Sequence, residues 1–221
     1  MGRKKLVIIG ATEFAEIAFE YFMIESEYEV VAFTVDREYR RMDYLKGKPV
    51  IAFDELREKY PSDNYYLFTA ITYGKMNDIR KRFYETGKKW GYRFATYISP
   101  YSFVWNNVRI GEDTFIFENN TIQYNAYIGT GVVLWSGNHI GHSAVIKDFS
   151  FISSHVVISG FCIIGMNSFC GVNSTLGNNI ELGDYSLVGA GTVVTHSQKI
   201  EGNVYVGNPC RIIAKSAHDC L

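Results

Sequence analysis

From residue 98 to residue 212 an aliphatic side chain returns every six positions. The series runs Ile98, Val104, Ile110, Ile116, Ile122, Ile128, Leu134, Ile140, Ile146, Ile152, Ile158, Ile164, Cys170, Leu176, Leu182, Val188, Val194, Ile200, Val206, Ile212. One member is cysteine and the rest are Ile, Leu or Val. Shifting the frame by one gives Ser99, Trp105, Gly111, Phe117, Gln123 and so on, with no aliphatic residue. A period held this strictly denotes a repeat architecture and overrides local readings of helix and strand.

With the aliphatic residue as position 1 of each hexad, position 2 is glycine nine times. Position 4 is rich in Asn and Gly, for example Asn107, Asn119, Asn125, Gly131, Gly137, Asn167, Asn173 and Asn179. Both types tolerate left-handed backbone, so position 4 reads as a tight corner. Position 5 is small or branched, as in Thr114, Ala126, Ala144, Ser150, Cys162 and Ser168. The pattern describes very short strands joined by corners. Positions 1 and 5 face a narrow interior, and ladder hydrogen bonds run between stacked coils.

Residues 1–96 have another rhythm. KKLVIIG, YEVVAFTVD (28–36), PVIAF (49–53) and NYYLFTAI (64–71) read as buried strands. Between them lie helical patterns with Phe14, Ile17, Ala18, Tyr21 and Phe22, and later Ile79, Phe83 and Trp90, at helical spacing. DELREKY is a candidate short helix. Alternating strands and helices predict a parallel sheet with crossover helices, which binds ligands at the carboxyl ends of its strands. The turn Gly10-Ala11-Thr12-Glu13 and Asp36 fall at such ends. Helix N-terminal amides at the turn suit a phosphate, and a carboxylate at 36 suits a ribose or base. Only Gly10 of the dinucleotide pattern GxGxxG is present.

A formal net charge of −1 on 221 residues argues against electrostatic nucleic-acid binding. No apolar run is long enough to span a bilayer. The apolar stretch near the N-terminus stops after Ile9 and an acidic amphipathic segment follows, so it reads as a strand rather than a signal peptide. Cys162, Cys170, Cys210 and Cys220 show no metal-ligand spacing, which fits free thiols in a reducing, cytoplasmic compartment and no metal.

The hexads resemble those of the hexapeptide-repeat acyltransferases. With the preceding α/β segment and the ending VGNPCRII, the chain resembles the NeuD-like and PglD-like sugar acyltransferases of bacterial glycan synthesis. The resemblance implies a small Rossmann-like α/β domain (residues 1–96) followed by an all-β left-handed parallel β-helix (97–215). It further implies three hexads per coil and a homotrimer with acyl-CoA bound between neighbouring β-helices. The activity implied is acetyl-CoA-dependent N-acetylation of a nucleotide-linked amino sugar, with no metal. O-acetylation of sialic acid or a polysaccharide is the alternative acceptor chemistry, and a non-catalytic β-helix scaffold is the alternative of another class.

Acyl transfer from a thioester needs a base for the acceptor's proton and a donor for the developing oxyanion. The irregular hexads 134–145 place Asn138, His139, His142 and Ser143 within six residues. Histidine suits the first role. His142, at position 3, is expected to project outward, whereas His139, at position 6, has no clear direction. The two do not converge as metal ligands would on a helix. With an 18-residue coil, residue 160 lies above residue 142, and it is Gly160. In the family, a segment His-acid-Cys-Val-Ile-Gly carries the catalytic histidine and a glycine one coil later meets the thioester. The resemblance therefore assigns His142 as base and Gly160 as thioester contact, with Ser143 standing where the family has an acid. That role is unfilled, or falls to Asp148 or to a residue of a neighbouring chain. By the same resemblance Ala190 borders the pantetheine, and Asn208 and Pro209 lie at the adenine end. The nucleotide of the acceptor falls to Gly10, Ala11 and Asp36, with Thr72 a further candidate, although Glu13-Phe14-Ala15 replaces the family's Gly-His-Gly.

Overall fold

The computed structural model describes residues 2–221. Contacts divide the chain into two compact units. One runs up to Thr72 and resumes at Ile79–Tyr97; the other comprises Tyr73–Asp78 and Ile98–Leu221.

The first unit is one sheet with helices. Its elements are β1 (Lys4–Ile9), α1 (Glu13–Glu25), β2 (Tyr28–Val35), β3 (Tyr44–Leu45), β4 (Lys48–Ala52), α2 (Leu56–Lys59), β5 (Tyr66–Thr69), α3 (Asp78–Lys89) and β6 (Arg93–Phe94). The strand order is β3-β4-β2-β1-β5-β6, all parallel except the β3–β4 pair. β3 is absent from the sequence reading, which gives an all-parallel sheet. It is added by a two-residue hairpin in which Lys46 and Gly47 both have positive φ (49° and 72°), the conformation that tight hairpins favour. Leu6, Val7, Ile8 and Ile9 are fully buried, as continuous apolar strands in a covered sheet should be. The order reverses at β1, whose neighbours are β2 and β5, so the carboxyl ends of these three strands form the switch point.

The second unit is a triangular prism of two-residue strands. Phe115 pairs with Val133, Val133 with Phe151, and Phe151 with Phe169, each 18 residues on. The second and third faces repeat the step, as in Thr121 to His139 to Val157 and Tyr127 to Val145 to Ile163. Every position-1 and position-5 side chain from 114 to 194 is buried. Full burial of an aliphatic side chain contributes on the order of 1.5–3 kcal/mol, so the column is the main source of this unit's stability. Position 4 has positive φ in all fourteen hexads from Asp113 to Gly191, including Phe149, His155, Phe161 and Tyr185. The corner imposes that conformation even on bulky residues, which therefore carry some strain.

Glycine at position 2 has a separate cause. A Cβ at Gly111, Gly129, Gly141, Gly165 or Gly171 would lie 2.5–2.7 Å from the backbone nitrogen nineteen residues ahead. Coil stacking leaves no room for a side chain there. Two position-5 hydroxyls are satisfied inside the prism: Thr114 Oγ1 donates to the Gly129 carbonyl and Ser150 Oγ to that of Gly165, both at 2.9 Å.

The regular coil ends before the aliphatic beat does. Leu182 bridges to Gln198, 16 residues on, and Val188 pairs with Tyr205, 17 on. Tyr205 is fully buried in the interior, while Ile200 and Ile212 are 68% and 50% exposed. An antiparallel hairpin, Asn203–Val206 with Arg211–Ser216, closes this end. The aliphatic period of the sequence thus runs on through 212, past the last regular coil. Tyr73–Asp78 also belong to this unit. Met76 is buried beside Leu187, Val204 and Ala217, and Asn167 Nδ2 donates to the Met76 carbonyl at 2.9 Å and to Asp78 Oδ1 at 3.1 Å.

Candidate active site

His142 lies at the corner that follows the strand His139–Ile140. Its backbone is pinned on both sides. Its N–H donates to Gln123 Oε1 (3.0 Å) and its carbonyl accepts from Phe161 N–H (3.0 Å). The side chain is exposed, as position 3 predicts. Its ring lies over Gly160. A Cβ on residue 160 would sit 2.5 Å from Cε1, 2.7 Å from Nε2 and 3.0 Å from Nδ1. Phe161 meets the imidazole at right angles, with centroids 4.9 Å apart. Tyr124, one coil below, and Phe161, one coil above Ser143, are exposed on either side, at 59% and 54%. The corner therefore presents a solvent-facing imidazole against the edge of Phe161, on a bare stretch of backbone.

The other expected residues separate from it. Asn138 is 1% exposed and sits inside the prism at position 5. Its Nδ2 donates to the Trp135 carbonyl (2.6 Å) and its Oδ1 accepts from Val156 N–H (2.7 Å). Asn120, one coil below, donates to the same Trp135 carbonyl at 2.9 Å. Asn138 thus performs the interior satisfaction that hydroxyls perform elsewhere, inside the prism rather than on the surface with His142. His139 alternates with the buried Ile140 and so faces outward from the flat of a sheet, between Thr121 and Val157. Ser143 occupies the left-handed corner (φ 54°), and its Oγ accepts from Asn125 Nδ2 at 3.3 Å. It does not replace an acid beside the imidazole. Neither does Asp148, which stands at another corner and accepts from Thr130 N–H at 2.8 Å. Among the described residues, no side chain bonds the His142 ring. Cys162, two residues past Gly160, points inward. Burial pushes its thiol pKa up, and its Sγ donates to the Gly177 carbonyl (3.0 Å), so it is no thiolate nucleophile.

Ala190 follows a different face and a different corner from His142. Asn208 and Pro209 share that second corner: they lie in the turn after Val206, whose side chain a Cβ on Gly189 would meet at 3.1 Å. The Asn208–Pro209 peptide is cis. The residues expected along one donor groove therefore occupy two edges of a single prism.

In the first unit, Gly10 and Ala11 follow β1, Asp36 follows β2, and Thr72 lies just past β5, so all four share the carboxyl edge at the switch point. Gly10 has φ +128°, and a Cβ there would lie 2.4 Å from the Ala70 carbonyl oxygen. Glycine is required by the fold whether or not a phosphate binds. Asp36 is half-buried, and its Oδ2 accepts from Arg82 NH2 at 2.5 Å.

Gln123, Phe161 and Asn178 are missing from the sequence reading. Asn178 Oδ1 accepts from Gly160 N–H at 3.1 Å. The coil length that leads from 142 to 160 leads in one further step to 178.

An 18-residue coil, an aliphatic prism and a preceding α/β sheet define a parallel β-helix of hexapeptide repeats, consistent with the left-handed class. No family model matches the sequence. Solved structures do. The acetyltransferase domain of PglB from Neisseria gonorrhoeae aligns with a TM-score of 0.85 at 24% identity, over 96% of this chain and 100% of that one. PerB from Caulobacter crescentus, in complex with CoA and GDP-perosamine, aligns at 0.85 and 22% identity, over 95% and 97%. WeeI from Acinetobacter baumannii aligns at 0.81 and 22%, over 94% and 99%. The chain shares the fold of these proteins along nearly its whole length.

Proposed function

We propose that this chain is an acetyl-CoA-dependent acetyltransferase acting on the amine of a nucleotide-linked amino sugar. One observation carries the reading: an exposed histidine whose ring lies over a side-chain-free residue, Gly160, at a prism corner. A plain prism needs neither. Neighbours of the same fold support the choice of substrates, since the PglB domain has been solved with acetyl coenzyme A and PerB with CoA and GDP-perosamine.

In this reading the sugar amine attacks the thioester carbonyl directly. His142 takes the proton as the C–N bond forms, and the Gly160 N–H stabilises the oxyanion. The C–S bond then breaks and the proton leaves with the CoA thiolate. The nearby thiol of Cys162 is buried and protonated, which favours direct attack over an acyl-enzyme. The acceptor's nucleotide is assigned to the carboxyl edge of the first unit's sheet, at Gly10, Ala11, Asp36 and Thr72. The donor is assigned to Gly160, Ala190, Asn208 and Pro209. Because these last lie on two edges of one prism, a continuous donor groove takes its edges from two chains, which supports a homotrimer. A CoA donor and free thiols fit a cytoplasmic location.

The test is His142→Asn. Loss of the base lowers kcat by roughly 10²–10⁴-fold while acetyl-CoA still binds by calorimetry. Near-full turnover in that variant overturns the assignment. Assaying nucleotide amino sugars beside their hydroxyl counterparts distinguishes N- from O-acetylation, and absence of any CoA binding favours a scaffold.

A further inference from the structure

The Gly160 amide already has a partner, the side-chain oxygen of Asn178 one coil above. Position-3 residues elsewhere make the same bond downward: Asp148 Oδ1 accepts from Thr130 N–H (2.8 Å) and Asp184 Oδ1 from Met166 N–H (2.9 Å). Asp184 is also paired with Lys147, at 3.5 Å. Asn178 differs from both in being neutral and exposed, and the bond to Gly160 is the one hydrogen bond its side chain makes among the described residues. It also occupies the donor that the proposed mechanism reserves for the acyl carbonyl. Like that carbonyl, an amide oxygen is a neutral sp2 acceptor.

We propose that Asn178 is a displaceable latch. Its Oδ1 holds the Gly160 N–H in place of the acyl carbonyl, and the side chain swings into solvent when the acyl donor binds. The inference rests on the proposed role of Gly160 and adds a determinant of acyl-donor affinity. A neutral hydrogen bond of this kind corresponds to about a 2- to 12-fold preference for the closed arrangement. The apparent affinity for a ligand that needs the open one is reduced by the same factor. Free CoA has no carbonyl at this place and does not compete with Asn178.

The experiment is calorimetry of acetyl-CoA and of CoA against the full chain, the Asn178→Ala variant and the Asn178→Asp variant, each checked for an unchanged melting temperature. Asn178→Ala should raise the ratio of acetyl-CoA to CoA affinity about 2- to 12-fold. Asn178→Asp should lower it, because a carboxylate is the stronger acceptor. Taking the ratio cancels the effect of the new charge, which acts on both ligands alike. An unchanged or lowered ratio in Asn178→Ala, with both ligands still bound, overturns the latch and leaves the acyltransferase reading intact. If the unmodified chain binds neither ligand, the acyltransferase reading fails first and the latch with it.

Discussion

Gly160→Ala separates catalysis from folding in this protein. The new Cβ would stand 2.5 Å from His142 Cε1 and 2.7 Å from Nε2. Ordinary carbon contacts lie at about 3.5–4.0 Å, so the imidazole has to retreat by about 1 Å. The ring is exposed and free to do so into water. Residue 160 does not have a left-handed φ, so alanine adds no backbone strain and removes some freedom from the unfolded chain. The melting temperature should stay within about 2 °C of the parent. Activity should not survive so well. A misplacement of about 1 Å in a positioned catalytic group costs roughly 100-fold, close to 2.7 kcal/mol of barrier. Steady-state kcat at saturating acetyl-CoA, followed by thiol release with the best nucleotide amino sugar, reads this directly. Gly137→Ala is the control. There a Cβ would meet the His155 ring at 2.6 Å, but at another corner and at φ +78°. Left-handed alanine costs about 1–2 kcal/mol, or about 2–8 °C in a chain of this size. Stability should fall and kcat should hold. If Gly160→Ala keeps kcat within threefold of the parent while remaining folded, or if Gly137→Ala loses activity to the same degree, the assignment of His142 over Gly160 is wrong.

Two further outcomes follow from buried groups. Asn138→Ala strands the Val156 N–H inside the prism, a loss of about 1–3 kcal/mol that urea denaturation will detect, while kcat stays within about twofold of the parent. Stability should also decline in alkali. Burial pushes the hydroxyls of Tyr92 and Tyr185 and the thiol of Cys170 up to about 12, from ordinary values of 10.0 and 9.0, with the Asp78 carboxylate adding to the shift at Tyr185. The folded chain therefore holds these protons over a range in which the unfolded chain releases them. Their contribution is complete below about pH 9 and is lost as pH rises toward 12. Denaturation midpoints measured from pH 8 to 11.5 should fall, and less steeply in Tyr185→Phe; a rise across that range contradicts the sign.

What the sequence makes legible here depends on whether a constraint is local to the hexad. Positions 1, 4 and 5 are set by the prism itself, so their residues announce interior and corner directly, down to left-handed φ at every corner from 113 to 191. Where the coil stops is not local. Ile200 and Ile212 keep the beat, yet they stand in solvent, because the last coil pairs 16 and 17 residues apart and Tyr205 takes the interior place. An aliphatic period is necessary for the prism but does not prove that the prism continues. The lone strand β3 was hidden for a similar reason: two residues at an edge carry no period, and the Lys46-Gly47 turn is the one mark of it. At the site, proximity along the chain was the misleading signal. Asn138 is four residues from His142 but at position 5, and its place in the hexad, not its nearness, decided that it lies inside. Position 3 is the informative one. Three of its polar side chains, Asp148, Asp184 and Asn178, reach down to bond the backbone N–H one coil below. Among the sixteen hexads of residues 98–193, position 3 is glycine once, at 160. That glycine cannot bond the His142 N–H, which Gln123 takes instead, and it leaves the space that the His142 ring fills. A single missing side chain thus uncovers the backbone and seats the imidazole together, which is why the strongest sign of chemistry in this sequence is a glycine that no corner requires.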